Sequence, residues 1–180
     1  MGDPPSPATA YRIPHGLRGA ERLILVDERD RPVGTEEKRR CHLGAGKCHR
    51  ATLTILFDRA GDIWLARRAP QKWLWPGWWD GTVAGHVEVG ETYVSAARRR
   101  VREEVGVSVP LAHRWTIRYR ARWSDEASEN EMCAILVGKA PELRPDPKEI
   151  DGVKRVRPGR LLALRRLVPW LRVAWTERPR

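Results

Sequence analysis

The sequence predicts an α/β (α+β) fold, in which a mixed sheet packs between helices as an α/β/α sandwich around one central helix. Two observations support this prediction. Several short apolar stretches rich in β-branched residues are separated by turn residues, which is typical of strands. Residues 92–105 carry apolar side chains at helical spacing and have a helix-start and a helix-stop signal at their ends.

Length and composition indicate an ordinary globular domain. The chain has 180 residues, of which 41% are hydrophobic and 32% are charged, so one domain can bury a sizeable core. Residues 1–19 are rich in Pro, Ala and Gly without periodicity, and we expect a flexible N-terminal arm. Residues 20–180 are expected to form a single domain that ends in a C-terminal helix.

Charge and cysteine content narrow the class of ligand and the compartment. The 34 Lys and Arg residues exceed the 23 Asp and Glu residues, and the net charge of +11 predicts attraction to anions. Because no long basic block is present, a phosphorylated small molecule fits better than nucleic acid or a membrane surface. An odd count of three cysteines and the lack of a signal peptide or membrane span predict a cytoplasmic protein with reduced thiols. Either a monomer or a homodimer is expected.

The first half of the chain alternates strands and loops. Residues 23–26 are a short apolar strand, and residues 41–49 are a loop. Residues 51–57 alternate polar and apolar side chains and are followed by a polar turn, so they form a predicted β-hairpin with residues 63–67. The Trp, Pro and Gly residues of 75–81 indicate a loop, and residues 82–84 a short strand.

The second half continues the same pattern. Two strands are predicted at residues 115–123 and 131–137, a loop at 141–147, and a last strand at 153–156. Residues 158 to about 175 are predicted to be an amphipathic helix that Pro169 breaks or kinks. This helix is expected to dock on the sheet, and the alternative is a membrane-surface helix with its arginines outward.

Residues 85–107 read GHVEVGETYVSAARRRVREEVGV and form a loop that leads into the central helix. Thr92 can cap the first turn and Gly106 is a stop signal, so the helix is predicted over residues 92–105. Glu91 lies where the helix dipole favours a carboxylate. The stripe that we expect to be buried consists of Val94, Ala97, Val101 and Val105.

Charged side chains share another face of this helix. Arg100, Glu103 and Glu104 would point to one place, where carboxylates can hold Mg²⁺ or Mn²⁺ and a guanidinium can bind phosphate oxygens. The alternative is a solvated charged face. The segment resembles the Nudix box, which favours the first interpretation and implies a Nudix fold with this helix at its centre. The matching residues are Gly85, Glu91, Arg99, Val101, Glu103, Glu104, Gly106 and Val107, and the pattern fails only at Arg100.

A second set of residues has the donor types of a metal site. His42 and His49 flank one loop, His86 follows the box glycine, and Glu129 and Glu131 alternate along a strand so that both point to one side. Three imidazoles and two carboxylates suit octahedral Mn²⁺, Mg²⁺ or Zn²⁺. Taken singly, each is commonly an ordinary surface or core residue, so the sequence pattern alone does not bring them together.

The chain also resembles the type I isopentenyl-diphosphate isomerases over residues 25 to 170. The residues that carry the resemblance are Gly34-Thr35-Glu36-Glu37-Lys38, His42, His49, Ala66-Arg67-Arg68-Ala69, Lys72, Trp75-Pro76-Gly77, Gly85-His86, Arg99-Arg100, Arg118-Tyr119-Arg120 and Glu129-Asn130-Glu131-Met132-Cys133. The resemblance implies three groups of site residues. His42, His49, His86, Glu129 and Glu131 would hold one divalent metal, Glu104 would help to hold a second, Mg²⁺, and Lys38, Arg68, Lys72 and Arg100 would bind the diphosphate.

The implied chemistry is protonation of an alkene to a tertiary carbocation. Glu131 corresponds to the metal-linked glutamate, Tyr119 to the tyrosine beside it, and Trp170 to the tryptophan whose π face stabilises the cation. Plain packing is the alternative role for Tyr119 and Trp170. The family's catalytic cysteine corresponds to Ala84, which can neither donate nor remove a proton, and Cys41, Cys48 and Cys133 lie elsewhere in the pattern.

These observations lead to one main hypothesis and two alternatives. The main hypothesis is an isomerase-like enzyme that acts on a short prenyl diphosphate, with isomerisation, hydration or cyclisation as the outcome, or an engineered inactive form of such an enzyme. The first alternative is a Nudix hydrolase of a nucleoside diphosphate derivative that uses Glu103 and Glu104, although Arg100 removes one carboxylate from that site. The second is a non-catalytic module that binds diphosphates or nucleic acid.

Overall fold

A mixed sheet of nine strands organises residues 21–179, the part of the chain that this computed structural model describes. The strands are β1 (Arg22–Val26), β2 (Pro32–Glu37), β3 (His49–Phe57), β4 (Ile63–Arg68), β5 (Trp79–Asp80), β6 (Val83–His86), β7 (Ala112–Arg122), β8 (Ser128–Lys139) and β9 (Ile150–Val156). The helices are α1 (Lys38–Cys41), α2 (Tyr93–Val105) and α3 (Pro169–Thr176), with a 3₁₀ helix at Pro158–Ala163. The predicted α+β class is confirmed, and the predicted N-terminal arm lies outside the described residues.

Strand β3 is the centre of the sheet. It pairs in parallel with β8 from His49 opposite Glu131 to Phe57 opposite Lys139, and antiparallel with β6 on its other side. Leu53 and Ile55 are fully buried, because the strand is covered on both faces. The predicted hairpin exists only at its turn, where Phe57 pairs with Ile63. Beyond that pair β4 leaves β3 and pairs with β5 and β9.

The central helix forms as predicted. Thr92 caps α2 by accepting a hydrogen bond from the backbone N–H of Ser95, and Gly106 ends the helix in the left-handed conformation at φ 64°. Ala97, Val101 and Val105 are buried against the sheet, whereas Val94 is only half buried. This packing fixes the rotation of the helix and therefore the direction in which its charged side chains point.

The C-terminal helix was predicted to break or kink at Pro169, and the chain forms two separate helices there. A 3₁₀ helix covers Pro158–Ala163, the backbone is extended at Leu164 and again at Val168, and α3 begins at Pro169. Proline has no backbone N–H to continue a helix, but it fits the first helical position well, so Pro169 starts a helix here. The loop predicted at 41–49 is also shorter, because Cys41 ends α1 and His49 begins β3.

Helix α3 docks on the sheet, as the preferred prediction states. Trp170, Leu171, Ala174 and Trp175 are buried in the same cluster as side chains of β3 and β7. The apolar face of α3 is therefore part of the protein core and does not form a lipid-binding surface. Within residues 21–179, no helix has both the length and the apolar character needed to cross a membrane.

Replacing Leu171 by Ala is expected to lower the free energy of unfolding by about 2–5 kcal/mol, because the side chain is fully buried and its loss leaves a cavity. Urea denaturation followed by circular dichroism measures this change. Leu162→Ala is the matched control, because Leu162 is 40% exposed and its truncation should cost less than about 1 kcal/mol. Equal losses in the two variants would contradict the docking of α3.

Candidate functional site

One cavity of about 580 Å³ brings most of the predicted site residues together. It lies over the ends of β3, β6 and β8 and is bordered by the segment that follows β4. The predicted residues on its wall are Lys38, His42, Arg68, Lys72, Ala84, His86, Arg100, Tyr119, Glu129, Glu131 and Trp170. His49 and Glu104 are buried behind the wall, at 0% and 4% exposure. The cavity therefore has the size of a small-molecule site.

Sheet register brings the three histidines and two glutamates into one cluster. His49 and Glu131 are direct partners across β3 and β8, and His86 lies opposite Ala51 at the end of β6. Each of His42, His49, His86, Glu129 and Glu131 offers one ligand atom, and these atoms all lie within 4.8 Å of one another. The predicted convergence of these five residues is confirmed.

Hydrogen bonding fixes which ring nitrogens face the cluster centre. Nδ1 of His42 donates to the Lys38 carbonyl at 2.6 Å, and Nδ1 of His49 donates to the Lys47 carbonyl at 2.8 Å. In the neutral rings, both Nε2 atoms thus present lone pairs to the centre. This orientation by carbonyl groups is typical of metal-ligating histidines.

Most atoms at the cluster centre are hydrogen-bond acceptors, and they face other acceptors. His42 Nε2 lies 3.2 Å from His86 Nε2 and 3.0 Å from Glu129 Oε2. His49 Nε2 and Glu129 Oε2 are buried without a hydrogen-bond donor. Burial lowers the pKa of His42, but the protonated ring can donate from Nε2 to Glu129, and this bond and the charge of Glu129 outweigh burial, so the pKa is raised. Burial and the two neighbouring imidazoles hold the pKa of His86 well below its usual value. The five clustered residues therefore suit a divalent cation better than a proton on every histidine ring.

Tyr119 and Glu131 connect the cluster to the cavity. The Tyr119 hydroxyl donates to Glu131 Oε2 at 2.5 Å, and burial holds the tyrosine pKa well above its usual value. Burial also raises the pKa of Glu131, but the nearby His49 ring, 3.5 Å from Oε1, and the hydrogen bond from Tyr119 outweigh it, so this pKa is lowered. The centre of the Trp170 ring lies 6.0 Å from that of Tyr119, and the Arg68 guanidinium lies 5.2 Å from the same tryptophan ring. The hydrogen-bonded pair of Tyr119 and Glu131 therefore lies beside the aromatic ring of Trp170.

Ala84 lies on the same wall, opposite Leu53 in the β3 and β6 pairing. Cys133 also lines the cavity, although the sequence pattern gave it no role. Burial holds the pKa of the Cys133 thiol well above its usual value and raises that of Cys41 to about 12. The pKa of Cys48 is also raised by burial. Burial therefore favours the neutral thiol form of all three cysteines.

Cations and carboxylates alternate around Arg100, another residue of the cavity wall. Arg100 lies 2.8 Å from Glu103, 2.6 Å from Glu104 and 3.3 Å from Glu149. Burial raises the pKa of Glu104 to about 7 in spite of this arginine. Of the predicted charged face of α2, Arg100 lines the cavity and Glu104 is buried, whereas Glu103 is exposed to solvent. The position of Arg100 also explains the box glycine, because a Cβ on Gly85 would lie 2.7 Å from Cγ of Arg100.

The other predicted phosphate-binding residues also have carboxylate partners. Arg68 Nη1 donates to Asp80 at 3.0 Å, Lys38 to Glu21 at 2.9 Å, and Lys72 contacts Glu149. Sequence reasoning missed Glu149, because it lies between the predicted loop and the last predicted strand and matches no motif.

Comparison with known proteins agrees with this geometry. A family model described as the NUDIX domain matches residues 47–175. The chain is 42% identical over 164 residues to an isopentenyl-diphosphate Delta-isomerase of Streptomyces coelicolor, which covers 88% of this chain and 82% of the relative. It is 35% identical to the enzyme of that name from Haloarcula marismortui, covering 86% of this chain and 89% of the relative.

Solved structures match the fold. The crystal structure of DR0079 from Deinococcus radiodurans superposes with a TM-score of 0.72 at 24% identity, and it covers 89% of this chain and 100% of that chain. The crystal structure of a MutT protein from Methanosarcina mazei has a TM-score of 0.63 at 16% identity and covers 72% and 91%. At these identities the matches establish the sheet and helix arrangement alone.

The cluster predicts metal binding that depends on its buried histidines. Metal-depleted protein is expected to take up one Mn²⁺ or Zn²⁺ at this site, and His49→Ala should weaken that binding by roughly tenfold or more, because one of the convergent lone pairs is lost. Calorimetric titration gives the affinity and stoichiometry. His113→Ala is the control, since His113 is exposed and outside the cluster. Unchanged binding in His49→Ala would contradict a metal at this position.

Proposed function

We propose a function on the premise that this chain belongs to the NUDIX domain family and, within it, to the isopentenyl-diphosphate Delta-isomerases. The proposed function is protonation of the alkene of a short prenyl diphosphate. One observation carries the proposal. Glu131 belongs both to the cluster of convergent ligand atoms and to the hydrogen bond with Tyr119, and it lines the same cavity as Arg100 and Lys72.

The proposed metal ligands are the residues whose side chains carry metal-donor atoms in the cavity region. We propose that His42, His49, His86, Glu129 and Glu131 hold one divalent cation, Mn²⁺, Zn²⁺ or Mg²⁺, and that Glu104 helps to hold a second, Mg²⁺, beside the diphosphate. A bound cation would supply positive charge that neutralises the buried carboxylates and polarises groups that touch it. Lys38, Arg68, Lys72 and Arg100 would bind the diphosphate oxygens as charged hydrogen-bond donors.

The chain's own residues account for the proton transfer. Glu131 in its protonated form would deliver the proton to the terminal carbon of the alkene, while the hydrogen bond with Tyr119 holds the carboxyl group in place. The transfer leaves Glu131 as a carboxylate and the neighbouring carbon as a tertiary carbocation. The Trp170 ring lies beside Tyr119 and would stabilise the cation through its π face. Burial excludes water from the acid side, because Tyr119, Glu131 and Trp170 are each less than a tenth exposed.

Several different products can form from the carbocation. An isomerase removes a proton from the adjacent carbon, and Ala84 has no group that can do this. Isomerisation through another base, addition of water and ring closure onto a second double bond give different products. Mass spectrometry of reactions with isopentenyl, dimethylallyl and geranyl diphosphate, each with Mg²⁺ and Mn²⁺, distinguishes them. Release of phosphate from nucleoside diphosphates, without any of these products, would favour a hydrolase.

Ala84→Cys is expected to create or strongly raise the conversion of isopentenyl to dimethylallyl diphosphate. A correctly placed acid or base contributes about 10²–10⁴ in rate, and Ala84 lies on the cavity wall, where one added sulfur atom has space. A coupled assay measures the rate, and Ala84→Ser tests whether the thiol itself is needed. A folded Ala84→Cys variant that binds metal and substrate without isomerising it would contradict the isomerase assignment.

Removing the Arg100 guanidinium is expected to weaken prenyl diphosphate binding by about 1.5–3 kcal/mol, the range for hydrogen bonds to charged groups. Calorimetry with dimethylallyl diphosphate measures the affinity. Arg98→Ala is a matched control on the exposed side of the same helix and should bind normally. Unchanged affinity in Arg100→Ala would contradict a role in diphosphate binding, and increased phosphate release in Arg100→Glu would favour the hydrolase.

A further inference from the structure

Glu149 is a carboxylate on the cavity wall to which the proposed function gives no role. Its Oε2 atom contacts Nζ of Lys72, and its Oε1 atom lies 3.3 Å from Nη2 of Arg100. Glu149 therefore lies between two of the cations that are proposed to bind the diphosphate. Its side chain is 26% exposed, so the carboxylate is open to the cavity.

The backbone around Glu149 is held firmly against the segment that carries Lys72. Its carbonyl accepts a hydrogen bond from Ala69 N at 3.1 Å, and the next residue, Ile150, pairs with Arg68. The Gln71 side chain donates to the carbonyls of Pro147 and Lys148. The carboxylate thus reaches Lys72 and Arg100 because the start of β9 is fixed beside β4, and only its side chain is free to turn away.

A diphosphate needs the same donors that Glu149 occupies. Nη1 of Arg100 donates to Glu103, Nη2 to Glu104, and Nη2 also faces Glu149. Glu104 is buried and does not line the cavity, and Glu103 touches neither Lys72 nor the cavity wall. Among residues 21–179, Glu149 is the carboxylate that contacts both cations.

Charge also opposes an incoming anion at this position. Burial raises the pKa of Glu149, but the hydrogen bond from Lys72 and the charges of Lys72 and Arg100 outweigh it, so its pKa is below the usual value. The side chain is therefore a carboxylate at neutral pH, and its repulsion of a diphosphate acts over a few ångströms.

We propose that Glu149 is an internal competitor for the diphosphate: its carboxylate occupies the anion position between Lys72 and Arg100, and the substrate must displace it. This inference rests on the proposed function of these two cations. The residue sets the affinity for the diphosphate and does not take part in the proton transfer. In the free protein it also separates two cations that would otherwise repel each other.

The test compares inorganic pyrophosphate binding by the wild-type chain and by Glu149→Gln, in Mg²⁺ buffer, by calorimetry. Gln keeps the shape and an oxygen acceptor for Lys72 but removes the charge, so the Kd should fall by roughly three- to tenfold. Glu149→Ala should tighten binding in the same direction, and Glu149→Asp, which keeps the charge, should not. Glu142→Gln removes an equal charge from an exposed residue outside the cavity and should leave Kd unchanged.

The outcomes separate the two proposals. If the wild-type chain binds no pyrophosphate, the proposed diphosphate site itself fails. If it binds but neither Glu149→Gln nor Glu149→Ala binds more tightly, the inference alone is overturned. Weaker binding in both folded variants would overturn it as well, because it would mean that Glu149 holds the cation or positions Lys72. Melting curves establish that each variant is folded.

Discussion

The parallel pairing of β3 with β8 is the constraint on which the site depends. It sets His49 directly opposite Glu131 and leaves Glu129 two residues away on the same face. A shift of one residue would turn both glutamates to the other face of the sheet, and the five ligand atoms would no longer meet. The strand is buried on both faces, so such a shift would also expose its apolar side chains. The stability of the core and the geometry of the cluster therefore rest on the same register.

Two groups of charged residues at the cavity have opposite electrostatic needs. At the cluster, lone pairs and carboxylates converge in a buried space and need positive charge. In the second group, Lys72 and Arg100 would repel each other, and carboxylates from α2 and from the residue before β9 separate them. A divalent cation would neutralise the first group, and a diphosphate would bind the cations of the second.

Local sequence signals predicted the elements that depend on neighbours along the chain. Thr92 and Gly106 mark the ends of α2 because capping involves only residues within one turn. Alternation along β8 placed Glu129 and Glu131 on one side for the same reason. Local signals did not choose where a pattern had two solutions: the amphipathic residues around Pro169 suit one kinked helix or two short helices, and the chain forms two. The hairpin of β3 and β4 separates after its turn because each strand finds other partners.

The sequence by itself determined the family, the central helix and the types of donor available, since motif spacing and residue chemistry are properties of the linear chain. Tertiary structure alone decided that His42, His86 and Glu129 meet at one point, because they come from three separate elements joined by long-range pairing. It also decided the setting of Arg100 and the place of Glu149. The contact between Arg100 and Glu149 depends on where β9 lies beside β4, and no local sequence pattern predicts that pairing.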